Sequence, residues 1–141
     1  MLINKIEFTE FEKSLSKTGK SFKDVLAPAL GKVYVVAITR DGCAGCARQK
    51  PKIQALAKTS TEKYGSKVVF TQIHVKRPND SDEESLRSKD VLGHYFYPTD
   101  LILVRTKDKG AVELYRSVSP EMAELKRKIE TSAELAAMLK E

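Results

Sequence analysis

The sequence predicts an α/β domain, a mixed central sheet with helices on both faces. Three observations predict it. The run Val33-Tyr34-Val35-Val36-Ala37-Ile38-Thr39 is apolar on both alternating sides, as befits a central strand covered by two layers. A helix-like stretch, Ala47 to Lys58, separates it from a second strand-like run, Val68 to Val75, giving a βαβ order. Leu101–Val104 and Ala111–Tyr115, joined across Lys107-Asp108-Lys109-Gly110, read as a β-hairpin, so the sheet also holds antiparallel strands.

The remaining elements follow in order. Thr9-Glu10-Phe11-Glu12 matches a capping box, with Phe8, Phe11 and Leu15 on one apolar side of a short helix. A turn at Lys17-Thr18-Gly19-Lys20 precedes Phe22, Val25, Leu26 and Leu30 at helical spacing, and Pro28 makes the end of that helix irregular. Residues 1–30 are therefore expected to be a helical elaboration before the core. Tyr64-Gly65 punctuates the chain after the helix that follows the first strand. Pro78-Asn79-Asp80 with Ser81-Asp82-Glu83-Glu84 reads as an acidic, solvated loop opening a short helix. Ser119-Pro120-Glu121 supplies an N-cap, a proline at the first helical position and an early acid. The last helix is expected to bury Met122, Leu125 and Ile129, with Thr131-Ser132-Ala133-Glu134 able to restart it as a separate segment.

At 141 residues, without linker, repeat or low-complexity tract, the chain reads as a single domain, 1–141. Its 41% hydrophobic and 31% charged content is that of an ordinary globular protein rather than a disordered one. The longest apolar run falls far short of the roughly twenty residues that cross a bilayer. No signal peptide is visible, and two cysteines three apart form no disulfide framework, so the reducing cytoplasm is the expected compartment. The net charge of +6 raises nucleic acid or an acidic partner. The basic residues are scattered, however, and Lys126-Arg127-Lys128 reads as the solvated face of a helix, so nucleic acid is not the expected partner.

Cys43-Ala44-Gly45-Cys46 lies between the first strand and its helix. A helix beginning near Cys43 would point unpaired N–H groups at that sulfur, and with the macrodipole they favour thiolate by about 0.3–2 kcal/mol. Arg40 and Arg48 would add a smaller, screened contribution. Cys43 is therefore the candidate nucleophile. From Cys46, steps of seven, ten and eleven residues reach Ile53, Leu56 and Ala57, whereas Cys43 shares its side with Ala47, Lys50 and Gln54. Cys46 should then be buried and Cys43 exposed, an arrangement in which Cys46 releases a mixed disulfide formed on Cys43. Two other readings stay open: a structural thiol pair, and half of a zinc site. Zinc wants four ligands, and only His74 and His94 are available, at a spacing unlike common zinc motifs.

From Val33 to about Ile129 the chain resembles the thioredoxin family. The resemblance rests on the strand ending in Cys43-Ala44-Gly45-Cys46, on Pro51 five residues after the second cysteine, and on Leu92-Gly93-His94-Tyr95-Phe96-Tyr97-Pro98-Thr99 leading into Leu101–Val104. It implies a three-layer thioredoxin-like fold, a helix bent at Pro51, and a cis Tyr97–Pro98 bond beside the dithiol. By resemblance, Gly42, Tyr97 and Pro98 are substrate-contact candidates. Four positions depart from the family pattern. Gly42 stands in place of a tryptophan, Ala37 in place of a buried acid, Gln72 near its usual lysine, and His94 in place of an aliphatic residue.

The resemblance and the dithiol together predict a thiol–disulfide oxidoreductase, a redox-active enzyme of cell redox homeostasis whose direction the sequence does not give. Cys43 attacks, Cys46 resolves, and no bound cofactor or metal is needed because the dithiol carries two electrons. Protein disulfide or dithiol substrates and a redox partner are expected, with no membrane association and a monomeric chain. The alternative is a non-enzymatic thioredoxin-fold binding module with a structural cysteine pair.

Overall fold

The most apolar stretch of the chain forms the centre of the sheet. In the computed structural model, which describes residues 2–76 and 82–141, β2 (Val33–Arg40) is buried from Val33 to Thr39. β3 (Val68–Val75) runs parallel to it on one side, and β4 (Thr99–Arg105) antiparallel on the other. β5 (Ala111–Val118) pairs antiparallel with β4, and β1 (Ile3–Glu7) parallel with β3, giving the order β1-β3-β2-β4-β5. The predicted mixed sheet is present.

Alternation along β2 divides the core. Tyr34, Val36 and Ile38 face α1 (Phe8–Thr18), α2 (Phe22–Leu26) and α4 (Glu83–Leu92), where Phe8, Leu26 and Leu92 cover them. Val33, Val35 and Ala37 face α3 (Ala44–Tyr64) and α5 (Met122–Lys140), where Ile53, Leu56, Leu125 and Ile129 close the second layer. A period-two strand feeding two apolar helix layers is the physical reason the sheet is covered on both sides.

Several boundaries differ from expectation. Residues 3–7 form an edge strand, not part of a helical elaboration. Only Ile3 and Ile6 are apolar there, and they serve opposite faces, so backbone pairing to an existing neighbour decides the element. The capping box is not formed, because α1 starts at Phe8 with Glu7 as its N-cap and Thr9 already inside. α2 ends at Leu26, before Pro28, whose ring disfavours helical backbone in the residue preceding it. α5 begins at Met122 rather than at Pro120, since Ser119 takes a left-handed conformation (φ 45°) and its N–H donates to Pro98 O at 3.0 Å. α5 then runs unbroken through Thr131 to Lys140, and Met122 is only partly buried. The acidic loop expected at 78–81 lies outside the described residues. Asp82 caps α4, accepting the Glu84 N–H.

One ionic cluster joins α2 to the hairpin. Arg105 Nη2 donates to Asp24 Oδ1 at 3.0 Å, Ala111 N–H donates to the same oxygen at 2.9 Å, and Arg105 Nε donates to Ala27 O.

Candidate active site

β2 ends in a tight turn that hands the chain to α3. Asp41 N–H donates to Val75 O at 2.9 Å, and Gly42 follows with φ 68°, a left-handed backbone that a tryptophan would adopt only at a steric cost. This accounts locally for a glycine at position 42. Cys43 is then the N-cap of α3, its Sγ accepting the Cys46 N–H at 3.1 Å. The two cysteines are joined as a disulfide, with their Cα atoms 5.2 Å apart. The sulfur therefore does the work of a capping oxygen, and the N–H it caps is one of the orphan donors of the first turn.

The expected contrast in burial is not found: both cysteines are half-buried. Helical phasing does put Cys46 on the side of buried Gln49, Ile53 and Leu56. The central strand beneath it, however, presents the small side chain of Ala37, and a cleft of about 930 Å³ opens there, lined by both cysteines, Ala37 and Gln49 among others. Pro51 lies inside α3 as predicted.

Pro98 reaches the dithiol from the other flank. A Cβ added to Gly45 would stand 3.2 Å from Pro98 Cδ and 3.6 Å from Tyr97 O, so glycine permits this close approach. The Tyr97–Pro98 bond is cis. The Tyr97 side chain, by contrast, is turned into α4. Its hydroxyl lies 2.8 Å from Ser85 Oγ and 2.9 Å from Ser88 Oγ, and its ring carries the Arg40 guanidinium and the Lys89 ammonium at 5.4 and 5.6 Å. The aromatics that face solvent in this loop are Tyr95 and Phe96, 78% and 62% exposed.

Sequence reasoning missed Asp100. It is fully buried on β4, opposite Ala37 in the strand register, and its Oδ1 accepts Gln49 Nε2–H at 3.1 Å. Burial pushes its carboxyl up to about 7, against the opposing pull of the Gln49 hydrogen bond. A buried carboxyl group therefore stands on the strand next to β2, in register with Ala37. The available signal was an acid directly preceding four apolar residues, Leu101 to Val104, but the sequence reading started that strand at Leu101, one residue too late.

The histidines take separate places. His74 joins Thr39 Oγ1 at 2.7 Å through Nδ1 and Asp41 Oδ1 at 2.6 Å through Nε2, and Gln72 Nε2 donates to the same threonine oxygen. His94 is buried and packs edge-on against Tyr97. Among the described residues no group of three or more His, Cys, Asp or Glu side chains is arranged to hold a metal ion. Among them, too, no helix is long and apolar enough to cross a membrane.

No protein-family profile matches the chain, and no curated protein matches it. Solved structures do. Thioredoxin F from spinach chloroplast (short form) is 20% identical, with 94% of this chain and 93% of that one covered at a TM-score of 0.58. Thioredoxin NaTrxh from Nicotiana alata is 22% identical, covering 92% and 90% at 0.58. The structure of a complex between ferredoxin:thioredoxin reductase and thioredoxin f2 matches at 18% identity, covering 92% and 94% at 0.56. With the strand order, the helix layers and Pro98 beside the cysteine turn, these likenesses establish that the chain has the thioredoxin fold.

Proposed function

We propose that this chain exchanges disulfides with protein substrates through Cys43 and Cys46. The observation that carries the reading is the disulfide-linked pair at the N-terminus of α3, with Cys43 Sγ receiving a backbone N–H of that helix. In the reduced protein the same N–H and the helix dipole favour the Cys43 thiolate over the thiol. That thiolate attacks one sulfur of a substrate disulfide. The substrate S–S bond breaks, one substrate sulfur leaves as thiolate and takes a proton, and a mixed disulfide with Cys43 forms. Cys46 then loses its proton and attacks Cys43 Sγ. The second substrate sulfur leaves, and the Cys43–Cys46 bond closes. The substrate has gained two electrons and the dithiol has lost two, so no bound cofactor is needed.

Asp100 is the buried carboxylate suited to take the Cys46 proton. Its Oδ1 accepts from Gln49, which follows Cys46 by one helical turn, and the Asp100 carboxyl, raised to about 7, is close to the pH at which a thiol must be deprotonated. The Tyr97 carbonyl, Pro98 and the bare backbone of Gly42 frame an extended substrate chain, while the Tyr97 side chain only anchors the loop. In a reducing compartment such as the cytoplasm, an external protein donor would keep the pair reduced and the reaction would run as a protein-disulfide reduction. The similar thioredoxin f2, seen in complex with a reductase, is an example of such a partnership.

The test is insulin-disulfide reduction with a chemical reductant as donor. Cys43→Ser should abolish it, and Cys46→Ser should accumulate a mixed disulfide on Cys43. A Cys43→Ser protein as active as the parent would sink the proposal, and a native disulfide that thiols reduce only after denaturation would favour the structural-pair reading.

A further inference from the structure

The cleft beneath α3 lies on the opposite flank of the dithiol from Pro98, and its origin can be read from the sheet. Lys5, Gln72, Ala37 and Asp100 stand in one row, each the register partner of the next. Ala37 places a single methyl group in the middle of that row, and α3 passes over it with the small residues Ala44 and Ala47. Too little side-chain volume remains to close the gap. The resulting space, about 930 Å³, is in the size range of small-molecule pockets, roughly 300–1,000 Å³.

Its chemistry is two-sided. The interior walls are apolar, formed by Phe70, Ile53 and Ile3. Gln49 also lines it. That side chain is only 7% exposed; its Nε2–H is committed to Asp100, and its Oε1 is buried without a hydrogen-bond partner among the described residues. A buried acceptor in this state is costly unless a donor reaches it. At the rim stand the exposed lysines Lys5, 3.9 Å from Glu7, and Lys50, while the rim acid Asp41 is engaged by His74.

We propose that this cleft binds a small organic anion with an apolar body, its anionic group at Lys5 and Lys50 and its body against Phe70, Ile53 and Ala37. Gly42 and both cysteines line the cleft whereas Pro98, Tyr97 and Gly45 do not, so this ligand shares the Gly42 edge of the substrate frame and leaves its Tyr97–Pro98 edge open. Occupancy covers Cys46 from beneath. The proposal needs no disulfide exchange and stands or falls on binding.

Anilinonaphthalene sulfonate, an aromatic sulfonate with one N–H, is the probe, read by its fluorescence on the oxidised full chain. Saturable one-to-one binding is expected. Ala37→Leu should weaken it by about tenfold or more, because the added carbons take the seat of the ring. The pair Lys5→Glu and Lys50→Glu should weaken it by about two- to fivefold at low salt, with the difference closing as salt screens the charges. Phe96→Ser, which removes the exposed aromatic on the Pro98 side, should leave the affinity unchanged. In the reduced protein, saturating probe should slow alkylation of Cys46. Binding that is unsaturable, that survives Ala37→Leu in a folded variant, or that disappears with Phe96→Ser overturns the proposal. If Ala37→Leu does not fold, an unchanged affinity in the lysine variant overturns it equally.

Discussion

Replacing Asp100 with asparagine should stabilise the oxidised protein at alkaline pH and lose or reverse that advantage in acid. Asp100 is fully buried, and burial lifts its carboxyl from the ordinary 3.8 to about 7 in the folded state. In the unfolded chain it titrates at its ordinary value. Between these two values the native state holds a proton that the unfolded state releases, so stability falls as pH rises through this window. The contribution of the neutral Asp100 side chain is fully present below about pH 4 and fully lost above about pH 7. At 1.36 kcal/mol for each pKa unit, the ionised side chain costs about 4 kcal/mol above that window. Asparagine has nearly the same shape, keeps an Oδ1 for the Gln49 N–H and never ionises. Its unsatisfied amide N–H groups return about 1–3 kcal/mol of that gain. Urea unfolding followed by circular dichroism on the oxidised form, in which neither cysteine titrates, should therefore show a net gain of about 1–3 kcal/mol near pH 8, shrinking to nothing or reversing near pH 4. A difference between variant and parent that is the same at both pH values would refute the reasoning.

Asp24→Asn should lower the melting temperature at neutral pH by loosening α2 from the hairpin. The Ala111 N–H, then Ser21 and Arg105, hold the Asp24 carboxyl below its ordinary value against the effect of desolvation. The contribution is thus present above about pH 4 and lost as pH falls through the lowered value, so the melting gap should narrow in acid. Ser119→Gly should stabilise by up to about 1 kcal/mol in denaturant unfolding, since φ 45° is a left-handed conformation that glycine adopts without penalty. Tyr97→Phe should cost about 1–2 kcal/mol by stripping Ser85 and Ser88 of a shared partner, yet leave the insulin-reduction rate close to the parent's. A large loss of rate would place the hydroxyl in the reaction.

How legible each feature was depended on the range of the interactions behind it. The cysteine turn, the run of β2 and the boundaries of β3 follow from local pattern, because apolar alternation and a helix N-terminus are properties of a few consecutive residues. The Pro51 position, and Pro98 beside the dithiol, were legible through the family resemblance. β1 was not, because Ile3 and Ile6 become a strand only once β3 offers its edge. The capping-box motif at Thr9 failed for a related reason: burial of Phe8 and Phe11 against the sheet draws the helix start back to Phe8, inside the motif.

The sequence by itself determined the chemistry available to this protein: two cysteines at a strand-to-helix turn, on an α/β scaffold, with no acid at position 37. Only the tertiary structure decided what surrounds that chemistry. Asp100 lies far along the chain from Cys46, yet strand register sets it opposite Ala37 and Gln49 ties it to the cysteine helix. The cleft exists because Ala37 and the small residues of α3 meet across two layers. Both are consequences of register and of packing between distant segments, which no local pattern of residues encodes.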